Sequence, residues 1–479
     1  MNKRMIGYLL GVILLIEAVF MALSCIVSLI YNESVVPFLI TLAILLLVSL
    51  PFVIFKPKNS QIFAKEGFIT VAAGWILLSA FGALPFVFSG SISNYIDAFF
   101  ETASGFTTTG ATMIPNVEIL PRGILFWRSL THWIGGMGVL VFMLAILPSA
   151  SGETMHLMRA EVPGPTKGKL VPKMRQSSLI LYGIYVVMTI IQVVLLVIVD
   201  MPLYDSIVTA FGTAGTGGFS VLNNSIAGYN NPAAEWIIAV FMMLFGVNFN
   251  IYFFILLGKA RDALKSEELR AYLLLCAVTT AAIAIDTASM YNSFSDNIRT
   301  AFFQVSSIIS TSGFSTVDFD LWSGFSKTVI LMLMVTGACA GSTAGGLKIS
   351  RIIILFKSAI KEIRFMRRPK SINVVKLDGE VVPSGVVRSA SGYIVVYLVI
   401  LFITTIIISL DGFSLETNIS AVFATLNNVG PGFDEVGPTR NFSIYSNLST
   451  LVLSFTMLIG RLEIMPMMIL FSTIFGKRK

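Results

Sequence analysis

AFFETASGFTTTG (residues 98–110) and AFFQVSSIISTSG (residues 301–313) lie over one another without a gap. The same frame takes in SIVTAFGTAGTGG (206–218) and NISAVFATLNNVG (418–430). Each copy starts beside an acidic residue, Asp97, Asp205, Asp296 or Glu416. Each then runs half-helically and closes on small or polar residues and a glycine, and in two copies Phe219-Ser220 and Phe314-Ser315 follow. A long apolar run precedes and another follows every copy, so the unit is span, half-helix, loop, span, repeated four times. The half-helical stretches, 97–107, 205–215, 296–310 and 416–427, are each too short to cross a hydrocarbon core, which takes about 20 residues.

The rest of the chain fits this pattern. Of 479 residues, 55% are hydrophobic and only 12% are charged, against about 25% charged in soluble domains. That excludes both a multi-domain cytosolic enzyme and a disordered chain. Ten apolar spans are expected, at 6–30, 35–55, 68–89, 124–148, 178–200, 234–258, 271–291, 326–357, 389–410 and 445–475. The run after Arg4 reaches about Ile30, too long for a signal-peptide core, and is expected to stay as the first span. Cys25, Cys276 and Cys339 lie far apart within apolar runs, which is neither a disulfide framework nor a zinc site. His132 and His156 are the two histidines, and no metal-binding spacing surrounds either.

The net charge of +7 has a side. Lys3, Arg4, Lys56, Lys58, Lys65, Arg159 to Arg175, Lys259 to Arg270, Arg351 to Arg388 and the closing Lys477-Arg478-Lys479 all fall on one side of a ten-span topology. Arg122, Arg128, Arg299, Lys327 and Arg440 fall on the other. The positive-inside rule then places both termini in the cytoplasm and all four half-helices on the outer side. This asymmetry accounts for the charge without nucleic acid.

A half-helix entering from outside turns its C-terminal carbonyls toward the membrane centre, where they carry about half a negative charge. Irregular backbone at that depth survives only when buried in protein or lining a water-filled cavity. Four parallel copies therefore suggest a central pore on a pseudo-fourfold axis that stabilises a cation, with an acid such as Asp97 or Asp205 capping each helix start. Re-entrant loops in an unrelated transporter are the alternative.

Several motifs in order resemble the TrkH/KtrB/HKT superfamily of potassium uptake proteins, and the TrkH branch in particular. They are TTTGAT (107–112), HWIGGMG (132–138), GGFS (217–220), SGFS (312–315), GSTAGGLK (341–348) and NNVGPG (427–432). The resemblance implies an all-α polytopic membrane protein of the cell membrane. Two N-terminal helices (1–66) precede four M1-P-M2 pore-loop repeats at 67–176, 177–269, 270–387 and 388–479. It further implies a homodimer with a pore per chain, a cytosolic TrkA-type nucleotide-binding ring, the lipid bilayer as surroundings, and potassium as the transported ion with no catalytic cofactor. The implied filter residues are Thr107, Thr108, Thr109 and Gly110; Gly215, Thr216, Gly217 and Gly218; Ser310, Thr311, Ser312 and Gly313; and Asn427, Asn428, Val429 and Gly430. Glycine at Gly110, Gly218, Gly313 and Gly430 favours potassium over sodium. In the second loop Gly217 and Gly218 are adjacent, and the gap-free frame selects Gly218.

Segment 326–357 would reach roughly 48 Å as one helix at about 1.5 Å per residue, too long for the core. Its middle, Gly337, Ala338, Cys339, Ala340, Gly341, Ser342, Thr343, Ala344, Gly345 and Gly346, is rich in glycine, which costs about 1 kcal/mol per residue in a helix. A break into a loop is expected, with a small-residue helix-packing face as the alternative. The matching family segment is an intramembrane gate. Gly337 to Gly341 also spells G-x-C-x-G, but no strand precedes it and no histidine neighbours it, so it is no nucleophile elbow. Arg461, deep in the last span, needs partners at a cost of about 2.5–3.5 kcal/mol or more. The loop carbonyls are the expected ones, and snorkelling to the interface is the alternative. Lys348 is expected either below the filter or snorkelling inward. The function implied is potassium uptake through a channel-like pore. A sodium- or proton-coupled symporter of the same fold is the alternative, and an enzyme is not expected.

Overall fold

The first helix, Lys3–Ile30, and the second, Val36–Ile54, form an antiparallel pair. Their close approach is set by glycine: a Cβ at Gly11 would come within 2.9 Å of Phe52 and 3.1 Å of the Ser49 carbonyl. The computed structural model describes residues 2–55, 57, 62–138, 174–369 and 373–475. The inner end of the expected 124–148 span, His156 and the basic residues from Arg159 to Lys173 lie outside the described residues.

Four like units follow. The first runs Ala64–Gly82 with Leu84–Phe88, then the short helix Tyr95–Phe106, then Arg122–Gly136. The second is Met174–Ile198, the short helix Leu203–Gly215, then Pro232–Phe245 and Phe249–Leu256. The third is Glu267–Asp286, the short helix Phe294–Ile309, then Gly324–Val335 and Ile349–Arg367. The fourth is Ser384–Ile408, the short helix Leu415–Leu426, then Asn447–Arg461 and Met465–Phe475. The described strands, Lys376–Leu377 and Glu380–Val381, form a two-residue antiparallel pair between units three and four.

The units close into a ring. Each short helix packs on the returning helix of the unit before it. Leu203–Gly215 lies on Arg122–Gly136, Phe294–Ile309 on Pro232–Phe245, Leu415–Leu426 on Gly324–Val335, and Tyr95–Phe106 on Asn447–Arg461. The short helices are buried through their C-terminal halves, from Ala98 to Phe106 in the first and from Gln304 to Ile309 in the third. Outward faces of the long helices stay apolar and exposed, as at Leu47, Leu274 and Ile285. That inversion is what a lipid solvent requires.

Two of the ten expected spans are bent, and the interruption expected in 326–357 is present. Among the described residues, six helices are long and apolar enough to cross a membrane, and two bent pairs add to them. The expected span 234–258 breaks between Phe245 and Phe249 with a 91° bend, and 445–475 breaks between Arg461 and Met465 with a 119° bend. Segment 326–357 stops at Val335 and restarts at Ile349. Hydropathy is continuous across the first two breaks, so hydropathy alone could not place them. Asn248 caps the restarted helix through the Asn250 N–H at 3.0 Å. Glu463 and Ile464 take φ of 53° and 67°, which no straight helix can contain.

Candidate functional site

Each short helix ends in the same four-residue grammar. The N–H of Thr109, Gly217, Ser312 and Val429 returns to the carbonyl of Ser104, Gly212, Ser307 and Ala424, at 2.8 Å in all four. This 6→1 bond is a Schellman closure, which needs a left-handed residue just past the helix. That residue is Thr108, Thr216, Thr311 or Asn428, with φ of 54°, 59°, 58° and 55°. Two residues on, Gly110, Gly218, Gly313 and Gly430 return to positive φ at 83°, 78°, 78° and 100°. In the second loop it is therefore Gly218, not Gly217, that occupies the equivalent position.

The glycines also close the ring. A Cβ at Gly110 would fall on the carbonyl oxygen of Gly217, at Gly218 on that of Ser312, at Gly313 on that of Val429, and at Gly430 on that of Thr109. Each loop thus abuts the carbonyl one residue before the glycine of the next, and the fourth abuts the first. All four glycines line one cavity. The carbonyls of Thr108, Thr109, Thr216, Gly217, Thr311, Ser312, Asn428 and Val429 accept no hydrogen bond from any described residue. These residues are buried, and buried carbonyls without partners are uncommon. Side chains hold the loops from behind: Thr107 Oγ1 lies 2.8 Å from Thr109 Oγ1, and Ser310 Oγ lies 2.8 Å from Ser312 Oγ. Asn428 donates to Thr109 Oγ1 and to the Met457 carbonyl. Asn427 donates to the Tyr397 hydroxyl.

The acids at the helix starts do not cap them. Asn94 accepts from the Ile96 N–H and Ser414 from the Thr417 N–H, while Pro202 and Ser293 occupy the other cap positions without a side-chain bond. Asp97, Asp205, Asp296 and Glu416 sit instead in the first turn, where a carboxylate still meets the positive end of the helix dipole.

Beneath the loops runs the segment between Val335 and Ile349. Its ends pair, Gly337 N–H to the Leu347 carbonyl at 2.8 Å and Leu347 N–H to the Val335 carbonyl at 3.2 Å. Its tip touches the hairpins: the Gly345 N–H donates to Thr311 Oγ1 at 2.7 Å, and a Cβ at Gly345 would stand 2.5 Å from the Asn427 carbonyl. Thr343 donates to the Phe245 carbonyl, and the Phe249 N–H donates to the Gly341 carbonyl, so the segment fills the 91° break in unit two. Cys339 and Ala340 anchor its other limb, through the Gly246 carbonyl and the Glu268 carboxylate. Ala338 accepts from the Ile349 N–H, Ser342 turns its hydroxyl to the Cys339 carbonyl, and Gly346 holds φ of 67°.

Arg461 reaches this segment. One guanidinium nitrogen donates to the Thr343 carbonyl at 2.7 Å, and the other donates to the Gly135 and Gly136 carbonyls at 2.6 and 2.9 Å. Glu463 turns elsewhere, to Arg351 at 2.9 Å. Lys348 is buried rather than snorkelling, with its ammonium on the Ala344 and Gly345 carbonyls.

Two supports were not singled out from sequence as parts of the hairpins. His132 donates from Nδ1 to the Gly105 carbonyl at 2.8 Å and accepts the Phe219 N–H on Nε2 at 3.2 Å. A carbonyl only accepts and an amide only donates, so the ring is the neutral Nδ1–H tautomer, joining the first hairpin to the second. Glu101 and Arg128 form a buried ion pair at 2.6 Å. Their spacing in sequence carries no pairing signal, because the contact is made across two elements.

Helices exposed to lipid around a buried ring of irregular backbone define the class, a polytopic membrane transport protein. The chain matches the TrkH family, described as cation transport protein, over residues 36–478. It is 33% identical over 487 residues to the Trk system potassium uptake protein TrkH of Salmonella typhimurium and, equally, to that of Escherichia coli K12, with 100% of each chain covered. The crystal structure of the potassium transporter TrkH from Vibrio parahaemolyticus superposes with a TM-score of 0.89 at 31% identity, again over 100% of both chains. The chain belongs to the TrkH family of cation transport proteins.

Proposed function

We propose that this protein conducts potassium into the cell through the ring of four hairpins. The observation that carries the reading is the set of buried carbonyls, equivalent from loop to loop and left without hydrogen-bond donors, in four loops whose glycines line one cavity. A dehydrated cation is the partner such oxygens lack, and rings of backbone carbonyls replace a hydration shell in potassium filters. The short-helix C-termini add partial negative charge at the same depth. The filter is then Thr107–Gly110, Gly215–Gly218, Ser310–Gly313 and Asn427–Gly430, and segment 336–348 is the gate, held shut by Arg461 and Lys348. The names of the relatives supply the ion.

The same reading places both termini in the cytoplasm of a cell-membrane protein. Each chain of a homodimer carries its own pore, and a cytosolic nucleotide-binding ring acts on the inner face, where the long basic helix Ile349–Arg367 emerges. Expression in a bacterium deficient in potassium uptake tests the reading, with growth at low external potassium expected only when the chain is present. Gly110→Ser should abolish preference for rubidium over sodium in uptake competition, because the new side chain meets the Gly217 carbonyl and the φ of 83° disfavours it. Unchanged competition would count against the filter assignment.

A further inference from the structure

Arg128 is a buried cation among the residues lining the cavity above the four glycines. A fixed positive charge at the mouth of a cation path repels what the path carries unless it is cancelled. Glu101 stands 2.6 Å from its Nε. Neither group stops at the other. Arg128 donates from its NH1 to the Ser220 carbonyl at 3.1 Å and lies 3.5 Å over the Phe219 ring. Glu101 accepts the Met113 N–H at 2.7 Å and the Thr112 hydroxyl at 3.0 Å. Thr112 and Met113 leave the first glycine, Gly110, while Phe219 and Ser220 leave the second, Gly218. The pair therefore ties the outgoing strands of hairpins one and two.

The repeat frame shows what the charge adds. Position 101 corresponds to Thr209, Gln304 and Ala421. Gln304 makes the same reach with a neutral amide, donating to Thr316 Oγ1 at 3.3 Å. A neutral side chain of this length thus makes one such bond, where the Glu101 carboxylate accepts from Thr112, Met113 and Arg128 at once. The carboxylate is specific to the unit that also carries the arginine.

We propose that the Glu101–Arg128 pair determines both ion selectivity and the potential at the pore mouth, with Glu101 as the positioning and charge-cancelling residue. This rests on the cation-pore reading above. The test compares rubidium and sodium uptake in liposomes holding Glu101→Gln, Arg128→Gln, the double variant, and the wild-type full-length chain. Glu101→Gln leaves the cation uncancelled and should lower uptake of both ions. Arg128→Gln leaves the anion and should raise it. Both should cut the rubidium-to-sodium ratio by about tenfold, since each loses hydrogen bonds to a charged group, and the double variant should return total uptake close to wild type. A purely structural pair would move both single variants the same way with the ratio intact, and that result overturns the proposal. If Arg128→Gln does not fold, Thr112→Val and Glu101→Gln decide. The ratio must fall in both, with total uptake unchanged in the former, and an unchanged ratio in both overturns the proposal. Wild type that fails to discriminate the two ions would instead sink the pore reading itself.

Discussion

Threonine in the left-handed region is strained, because its branched Cβ crowds the following carbonyl at about 1–2 kcal/mol per residue. Thr108, Thr216 and Thr311 all accept that strain where helix ends ordinarily use glycine. Strain retained at equivalent positions of three hairpins points to a task for the side chain, and for Thr311 the task is visible: its hydroxyl receives the Gly345 N–H at 2.7 Å. Thr311→Ala would leave that amide unpaired in the proposed closed state only. An unsatisfied buried donor costs about 1–3 kcal/mol, so the proposed gate should open about tenfold more often. Basal rubidium flux into liposomes should rise accordingly, while Thr311→Ser stays near wild type because it keeps the hydroxyl. Equal flux in Thr311→Ala and wild type would separate the filter from the gate. No sequence pattern marks these residues, since the αL rule read from sequence looks for glycine and finds it two places later.

Arg461 joins three elements at once: the end of Arg122–Gly136, the segment 336–348 and the break before Met465–Phe475. Removing it strips charge-assisted hydrogen bonds worth about 1.5–3 kcal/mol each from three carbonyls. Arg461→Ala should therefore raise basal cation flux at least as much as Thr311→Ala, and identical flux in mutant and wild-type liposomes would refute the latch. A second element-level prediction concerns the fourth hairpin. Asp434 accepts from the Ser414 and Thr417 hydroxyls at 2.6 Å each, and these bonds hold its carboxyl below the ordinary aspartate value. The stability it contributes is complete above about pH 4 and disappears as pH falls through the lowered folded-state value. Thermal melts from pH 6 to pH 3 should show an acid-side loss in wild type that Asp434→Asn lacks, and parallel curves would exclude the contribution. Elements were legible where local grammar repeats. The four short helices fall close to where the repeat frame puts them, and the glycine run at 337–346 marks a real interruption. The 91° break was not legible, because Met242 to Leu257 reads as an apolar run relieved by Gly246, Asn248 and Asn250, whereas the 119° break carries a local mark in Pro466, second residue of the restarted helix, which hydropathy passes over. The pairing of Glu101 with Arg128, and of Glu463 with Arg351 rather than Arg461, is set by tertiary packing that no periodicity encodes.

At the scale of the molecule, the cyclic contacts make four different sequences into one ring, and the ionisable groups nearest it are occupied. Glu101 holds Arg128, Glu268 holds the Ala340 and Ser350 N–H groups, and Arg461 and Lys348 hold carbonyls. On the proposed reading, a path lined by backbone oxygen, with its charged neighbours already engaged, passes one ion at a time rather than coupling it to a second. The membrane potential is worth about 2.3 kcal/mol per charge per 100 mV. Liposomes clamped at −100 mV, with sodium and pH equal on both sides, should therefore accumulate rubidium to a limit of about fiftyfold. A symporter carrying one sodium ion or proton with each rubidium would move two charges per cycle. Its limit under the same conditions would be the square of that ratio, about 2,500-fold. Accumulation that settles near fiftyfold, and is unmoved when a sodium or pH gradient is added at the same voltage, identifies a pore. Accumulation well beyond it, or a response to either gradient, would require a second ion in the transport step.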